Sequence, residues 1–192
     1  MTIIIPASGH DRKWSMYHGT RKQFVTIFSE KVADRIVRLL NGVKYFITRR
    51  GYDIRNTISV YHKPRREYNT LDKLACAVEH LDYFDKSIII YGDVYLSKDF
   101  AQILNEGRFN GITFYEKDGE LYAVGIDSES NNEFVKAIEK VKEYNTKECR
   151  ISVLRDLLNP NIYQIPRNDY TVDIDTPEDF RKLTNFIRRS ND

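Results

Sequence analysis

Residues 87–96 read SIIIYGDVYL, and how this stretch is interpreted decides the fold. Three consecutive isoleucines leave no polar face, so the segment fits a strand covered on both sides, as in a parallel sheet. Its apolar run ends in Gly92-Asp93, a glycine turn followed by an acid. A second run of the same kind, TIIIP at Thr2–Pro6, opens the chain. Between and beyond these strands the pattern alternates. SEKVADRIVRLLNG predicts a helix with Ser29 as its cap, an apolar stripe of Val32, Ile36, Leu39 and Leu40, and a stop at Asn41-Gly42. VKYFIT and TISVYH predict two more strands. NTLDKLACAVEHL predicts a helix capped by Asn69 or Thr70, with Leu71, Leu74, Ala75, Val78 and Leu81 facing inward.

After SIIIYGDVYL, the segment SKDFAQILNEG predicts a helix from its Ser97 cap to its Gly107 stop. GITFYEKDGELYAVGI predicts a hairpin with Asp118-Gly119 at its turn. NNEFVKAIEKVKEYN and ISVLRDLLN predict helices, NIYQIPRNDYTVDID one or two strands, and PEDFRKLTNFIRRS a closing helix. The expected fold class is therefore α/β: a mainly parallel twisted sheet with helices on both faces and one antiparallel strand or hairpin. No repeat or linker interrupts residues 1–192, so one domain is expected.

The bulk numbers exclude some classes. With 192 residues, 41% hydrophobic and 30% charged, the chain has the make-up of an ordinary globular domain. A net charge of +2 gives no argument for nucleic acid. No apolar run approaches the ~20 residues that span a bilayer. MTIIIPASG lacks the basic start of a signal peptide, and two cysteines, Cys76 and Cys149, make no disulfide framework. A cytoplasmic setting is the expectation. The four histidines lack zinc-ligand spacing, and no zinc site is expected.

In parallel sheets ligands bind at the carboxyl ends of the strands. Three segments meet that condition: the loop after TIIIP, GDVY after SIIIY, and DID after YTV. The last belongs to TVDIDTPEDF (171–180), where Thr176 and Pro177 read as a helix start. Asp173 and Asp175 precede it, two residues apart and hence on one face of a strand.

These pieces, in this order, resemble the nucleotidyltransferases of the glycosyltransferase-A-like fold (Rossmann-like), which include sugar-phosphate nucleotidyltransferases, CMP-sugar synthetases, methylerythritol-phosphate cytidylyltransferases and molybdenum-cofactor nucleotidyltransferases. IIIPASGHDR resembles their opening strand and phosphate loop, and GTRKQF their Pro-Lys-Gln-Phe element. IIIYGDVYL resembles the strand bearing the metal-binding aspartate, and VDIDTPEDF the final signature. The first loop departs from the pattern, with Gly9 alone and Arg21 before the lysine. The likeness covers nearly the whole chain. It implies a Mg²⁺-dependent transfer of a nucleoside monophosphate from an NTP to a phosphorylated small molecule, a sugar phosphate first among them, with release of pyrophosphate.

The resemblance implies these roles by residue. Arg12 and Lys22 would neutralise phosphate charge. Pro6, Ala7, Ser8 and Gly9, with Asn69 and Thr70 at the later helix start, would bind the nucleotide. Asp93 and Asp175 would hold Mg²⁺, with Asp173 the next candidate. The N-terminal half would serve the nucleotide and the later half, including Tyr122, the acceptor. A homodimer is allowed; neither a membrane nor a nucleic acid partner is expected. Each residue has an ordinary alternative as a turn acid, a helix-cap neighbour or a solvated cation. Trp14 and Tyr17 either stack on a base or pack a loop. Two other functions stay open: a glycosyltransferase of the same fold, with Asp93-Val94-Tyr95 in place of an Asp-x-Asp motif, and a catalytically degenerate nucleotide-binding relative.

Overall fold

The computed structural model describes residues 1–7, 14, 17–48, 52–62, 70–143 and 150–190. In chain order its elements are β1 (Thr2–Pro6), β2 (Thr26–Ile27), β3 (Glu30–Lys31), α1 (Val32–Leu39), β4 (Val43–Thr48), β5 (Ile58–Tyr61), α2 (Thr70–Ala77), β6 (Ser87–Ile90), β7 (Val94–Tyr95), α3 (Lys98–Glu106), β8 (Ile112–Lys117), β9 (Glu120–Ile126), α4 (Asn131–Glu143), α5 (Arg150–Leu158), β10 (Asn161–Gln164), β11 (Val172–Asp173) and α6 (Pro177–Ser190). None of the described helices is long and apolar enough to cross a membrane.

The main sheet has the order β10-β8-β9-β6-β1-β4-β5, and β9 alone runs against its neighbours. The α/β class and the antiparallel hairpin expected from the pattern are both present. The hairpin turn places Asp118 at φ 51° and Gly119 at φ 84°, the paired positive angles of a tight hairpin that matches strand twist. Strands β1 and β6 lie side by side at the centre, and Ile3, Ile4, Ile5, Ile88, Ile89 and Ile90 are wholly buried. That explains their unbroken apolar runs. From β1 the chain winds out through α1 and β4 to β5, then returns through α2 to β6. Right-handed crossovers in opposite directions put α1 and α2 on opposite faces. α2 packs with α4 and α5, and α1 with α3. The reversal between β1 and β6 leaves a crevice at their carboxyl ends, the favoured ligand position in such sheets.

Two expectations are corrected. Ser29 does not cap α1. Glu30 and Lys31 are drawn into a small ribbon with Thr26 and Ile27, so the helix starts at Val32 with Lys31 before it and no side-chain cap. Glu30 is instead held by Arg38 and Arg35. The YTVDI segment does not add a strand to the main sheet. Only Val172 and Asp173 are extended, and they pair antiparallel with Tyr95 and Val94 in a separate two-stranded ribbon.

Other boundaries follow local chemistry. Ser97 Oγ accepts from Phe100 N (2.9 Å), and Gly107 closes α3 in the left-handed region at φ 57°. At the start of α6, Thr176 and Asp179 bond reciprocally: Asp179 N donates to Thr176 Oγ1 (3.2 Å) and Thr176 N to Asp179 Oδ2 (2.8 Å). Ser97 also ties the C-terminal ribbon in place. Its hydroxyl donates to Asp169 Oδ2 (2.7 Å) and its backbone N–H to Thr171 Oγ1 (3.0 Å). Ser97→Ala removes the cap and leaves Asp169 short of a donor, so it should cost about 2 kcal/mol in a urea titration. A loss below about 0.5 kcal/mol would show that the cap contributes little.

Candidate active site

The crevice between β1 and β6 is closed by backbone contacts that bring four sequence-predicted residues together. Gly92 N donates to Pro6 O (3.1 Å), and Ala7 N donates to Ile47 O (2.7 Å). Gly92 is required by this approach: a Cβ there would stand 2.7 Å from Ala7 Cβ. The turn of Lys22, Gln23 and Phe24 docks beside it. Gln23 Nε2 donates to Ala7 O (3.1 Å), and Phe24 packs edge-on to Phe46 and stacks on Tyr52. Lys22 is thereby delivered to Asp93. Gly92→Ala should force the two strand ends apart, costing about 1–3 kcal/mol. Divalent-cation binding at Asp93 should weaken with it, and unchanged binding with unchanged stability would show that the approach is not needed.

The C-terminal ribbon supplies the other acids. Ile174 N donates to Asp93 O (3.0 Å), which fixes the ribbon against the Asp93 turn. Alternation then sorts the side chains. Ile174 is fully buried in a small core with Trp14, Val25, Ile27, Val32, Tyr95 and Leu183. Asp173 and Asp175, on either side of it, point the other way. A strand delivers two acids to a helix start because its apolar residue anchors it from behind. Trp14 and Tyr17 belong to that anchor: Trp14 is buried, donates Nε1–H to Thr20 O (2.8 Å), and meets Tyr17 and Phe180 edge to face. Of the two alternatives for this pair, packing is the one observed.

Asp93, Asp173 and Asp175 converge, each offering a carboxylate oxygen within 4.8 Å of the other two. Lys22 Nζ lies 2.6 Å from Asp93 Oδ2 and is also ion-paired with Asp175. Lys73 Nζ reaches Asp93 Oδ2 at 3.0 Å and lies over the Tyr91 ring at 4.9 Å. Burial alone would lower the Lys22 ammonium, but Asp93, Asp173 and Asp175 outweigh it and hold it well above the usual lysine range. Burial would raise Asp93, yet Lys73 and Lys22 hold it well below the usual carboxylate range. Asp173 goes the other way. Burial, and then the charge of Asp93, push it well above that range. Its Oδ1 is shielded and has no hydrogen-bond partner among the described residues. Tyr122 is buried nearby, and burial, with the charges of Glu120 and Asp173 adding to it, pushes its hydroxyl up.

This donor set fits a hard divalent cation. All three ligands are carboxylate oxygens, one of them orphaned, and opposite oxygens around a six-coordinate ion with bonds of about 2.1 Å stand about 4.2 Å apart. The arrangement can hold such an ion beside a fixed ammonium, the combination that neutralises a polyphosphate.

Of the other candidates, Pro6 and Ala7 line the floor at the end of β1, and Thr70 opens α2. Ser8, Gly9, Arg12 and Asn69 lie outside the described residues, as do His10, Cys149 and the basic stretch 63–68. Lys73 was not anticipated. A signal existed: it stands in the first turn of a helix, where the dipole favours acids, so a lysine there needs a local anion.

No family model matches the sequence, and no curated protein matches it. Solved structures do match. The CTP:phosphocholine cytidylyltransferase of Streptococcus pneumoniae superposes with a TM-score of 0.71 at 16% identity, covering 97% of this chain and 98% of that one. The 2-C-methyl-D-erythritol 4-phosphate cytidylyltransferase of Thermus thermophilus gives 0.66 at 10%, covering 98% of each chain. A putative glucose-1-phosphate thymidylyltransferase of Bacillus anthracis gives 0.65 at 10%, covering 97% and 94%. The chain has the fold of these nucleotidyltransferases, the one its sequence resembles.

Proposed function

We propose that the protein is a Mg²⁺-dependent nucleotidyltransferase that joins the nucleoside monophosphate of an NTP to a phosphorylated small molecule and releases pyrophosphate. The observation that carries this reading is the meeting of three aspartates and Lys22 at the carboxyl ends of β1 and β6. Asp93 and Asp175, joined by Asp173, would hold the ion. When bound, Mg²⁺ would offset negative charge on the phosphate oxygens and the departing pyrophosphate.

The chain's own groups do the rest. Lys22 supplies an ammonium that can turn from the carboxylates to the α-phosphate as charge builds there. Backbone N–H groups after Ala7, in the Ser8-Gly9 loop, would face the triphosphate, and Arg12 would add a bidentate cation. An oxygen of the acceptor phosphate forms a bond to the α-phosphorus. The bond from that phosphorus to the bridging oxygen breaks, and pyrophosphate leaves with the electron pair. No covalent enzyme intermediate is needed, because the acceptor phosphate is already a nucleophile. The whole chain would act as one domain, the N-terminal half binding nucleotide and the later half the acceptor.

The test is pyrophosphate release with each of the four NTPs, Mg²⁺ and a panel of phosphorylated acceptors, sugar phosphates first. Release that requires an acceptor supports the reading. Consumption of a nucleotide-sugar with release of a nucleoside diphosphate, or no turnover with any pair, overturns it.

A further inference from the structure

Asp93 carries more positive charge than one lysine supplies. It is 1% exposed, and its carboxylate receives both Lys22 (2.6 Å) and Lys73 (3.0 Å to Oδ2, 3.4 Å to Oδ1). Lys22 comes from the turn after the first loop, and also reaches Asp175. Lys73 comes from α2, on the other side of the sheet's central strands, and among the described residues Asp93 is the carboxylate with which it forms an ion pair. Two ammonium groups thus stand among the three clustered acids where a divalent cation would sit.

The geometry points to Lys73 as a built-in counter-cation that restrains the affinity of the Asp93 site for a divalent ion. The inference rests on the proposed metal role of the three aspartates. Its reasoning is electrostatic. An ion seated on Asp93 meets a fixed positive charge about one hydrogen bond away, in a setting where charges are poorly screened. It must also compete with Lys73 for the lone pairs of a carboxylate that the fold has already satisfied twice. A divalent cation by itself therefore binds weakly, and it is held firmly only when oxygens from an anionic ligand complete its shell. Lys73 acts through Asp93, so it is a positioning residue.

The Lys73 ammonium also lies over the Tyr91 ring at 4.9 Å, which suggests a variant that puts another ring-compatible group there. In Lys73→Met the unbranched side chain is kept one atom shorter, its thioether can pack on the aromatic ring in place of the ammonium, and the charge is lost. Asp93 retains Lys22 as its partner, so the carboxylate is not left bare. Lys73→Arg keeps the charge.

The experiment titrates Mn²⁺ alone into wild type, Lys73→Met and Lys73→Arg, following free Mn²⁺ by electron paramagnetic resonance and checking each fold by thermal denaturation. Lys73→Met should bind Mn²⁺ at least ten-fold more tightly than wild type, with Lys73→Arg close to wild type. A purely structural lysine would show the opposite, since loosening the site weakens the ion. Equal or weaker binding by Lys73→Met overturns the inference, as does undetectable Mn²⁺ in every variant. The pyrophosphate assay is independent of this result. Release of pyrophosphate with no gain in Mn²⁺ affinity removes only the Lys73 role. A gain in affinity with no pyrophosphate from any substrate pair removes only the transferase reading.

Discussion

Asp93→Asn should lower pyrophosphate release by at least about 10³-fold and also destabilise the fold. The first effect follows from the loss of a charged group from the proposed metal site. The second follows from what the carboxylate does in the free protein. Asp93 is buried and offsets two ammonium groups, those of Lys22 and Lys73. Asparagine leaves them facing each other with only Asp173 and Asp175 to share. Removing one partner from a buried charged cluster costs about 3–5 kcal/mol, and Lys22 keeps Asp175, so about 3 kcal/mol is expected here. Urea titration and the pyrophosphate assay read the two effects separately. Near-normal turnover would remove Asp93 from the metal role, and unchanged stability would show that the lysines are solvated rather than offset.

Asp175→Asn should lose activity by a comparable factor with little loss of stability. Its carboxylate is 42% exposed, so water screens its pairing with Lys22, and exposed pairs contribute about 1 kcal/mol or less. Lys22 also keeps Asp93 at 2.6 Å. The expected signature is an unfolding midpoint near wild type together with a rate near background. Destabilisation as large as that of Asp93→Asn would show that the C-terminal ribbon depends on this carboxylate for its position. Turnover near wild type would leave Asp93 and Asp173 as the candidate ligands among the described residues. The contrast between the two variants therefore separates the site's chemistry from its contribution to folding.

Much of the site was legible in the residues because its parts sit where punctuation in the chain is strongest. Gly92-Asp93 ends a run of isoleucines, and glycine is the residue without the Cβ that would stand 2.7 Å from Ala7 Cβ. Thr176-Pro177 marks a helix start, which places Asp173 and Asp175 just before it. The element types also followed from periodicity, since strands buried on both faces and helices with one apolar stripe leave different patterns. Ser29 misled because a serine before an apolar stripe is a good cap only if the backbone is free to turn there. In the fold, Phe28 and Ser29 form the turn of a small hairpin pairing Thr26 and Ile27 with Lys31 and Glu30, so the chain is still extended just after the expected cap.

The sequence by itself determined the α/β class, the central isoleucine strands, the hairpin at Asp118-Gly119, and the pairing of Asp173 with Asp175 on one side of a strand. These depend on short-range periodicity and turn chemistry, which each segment carries alone. Only the tertiary structure decided that Lys22 and Lys73, 51 positions apart, share one carboxylate, and that the DID segment reaches Asp93 through its own small ribbon outside the main sheet. Such meetings arise from packing between segments distant in the chain: Ile174 buried behind the ribbon, Gln23 bonded to Ala7, and the sheet reversing direction between β1 and β6.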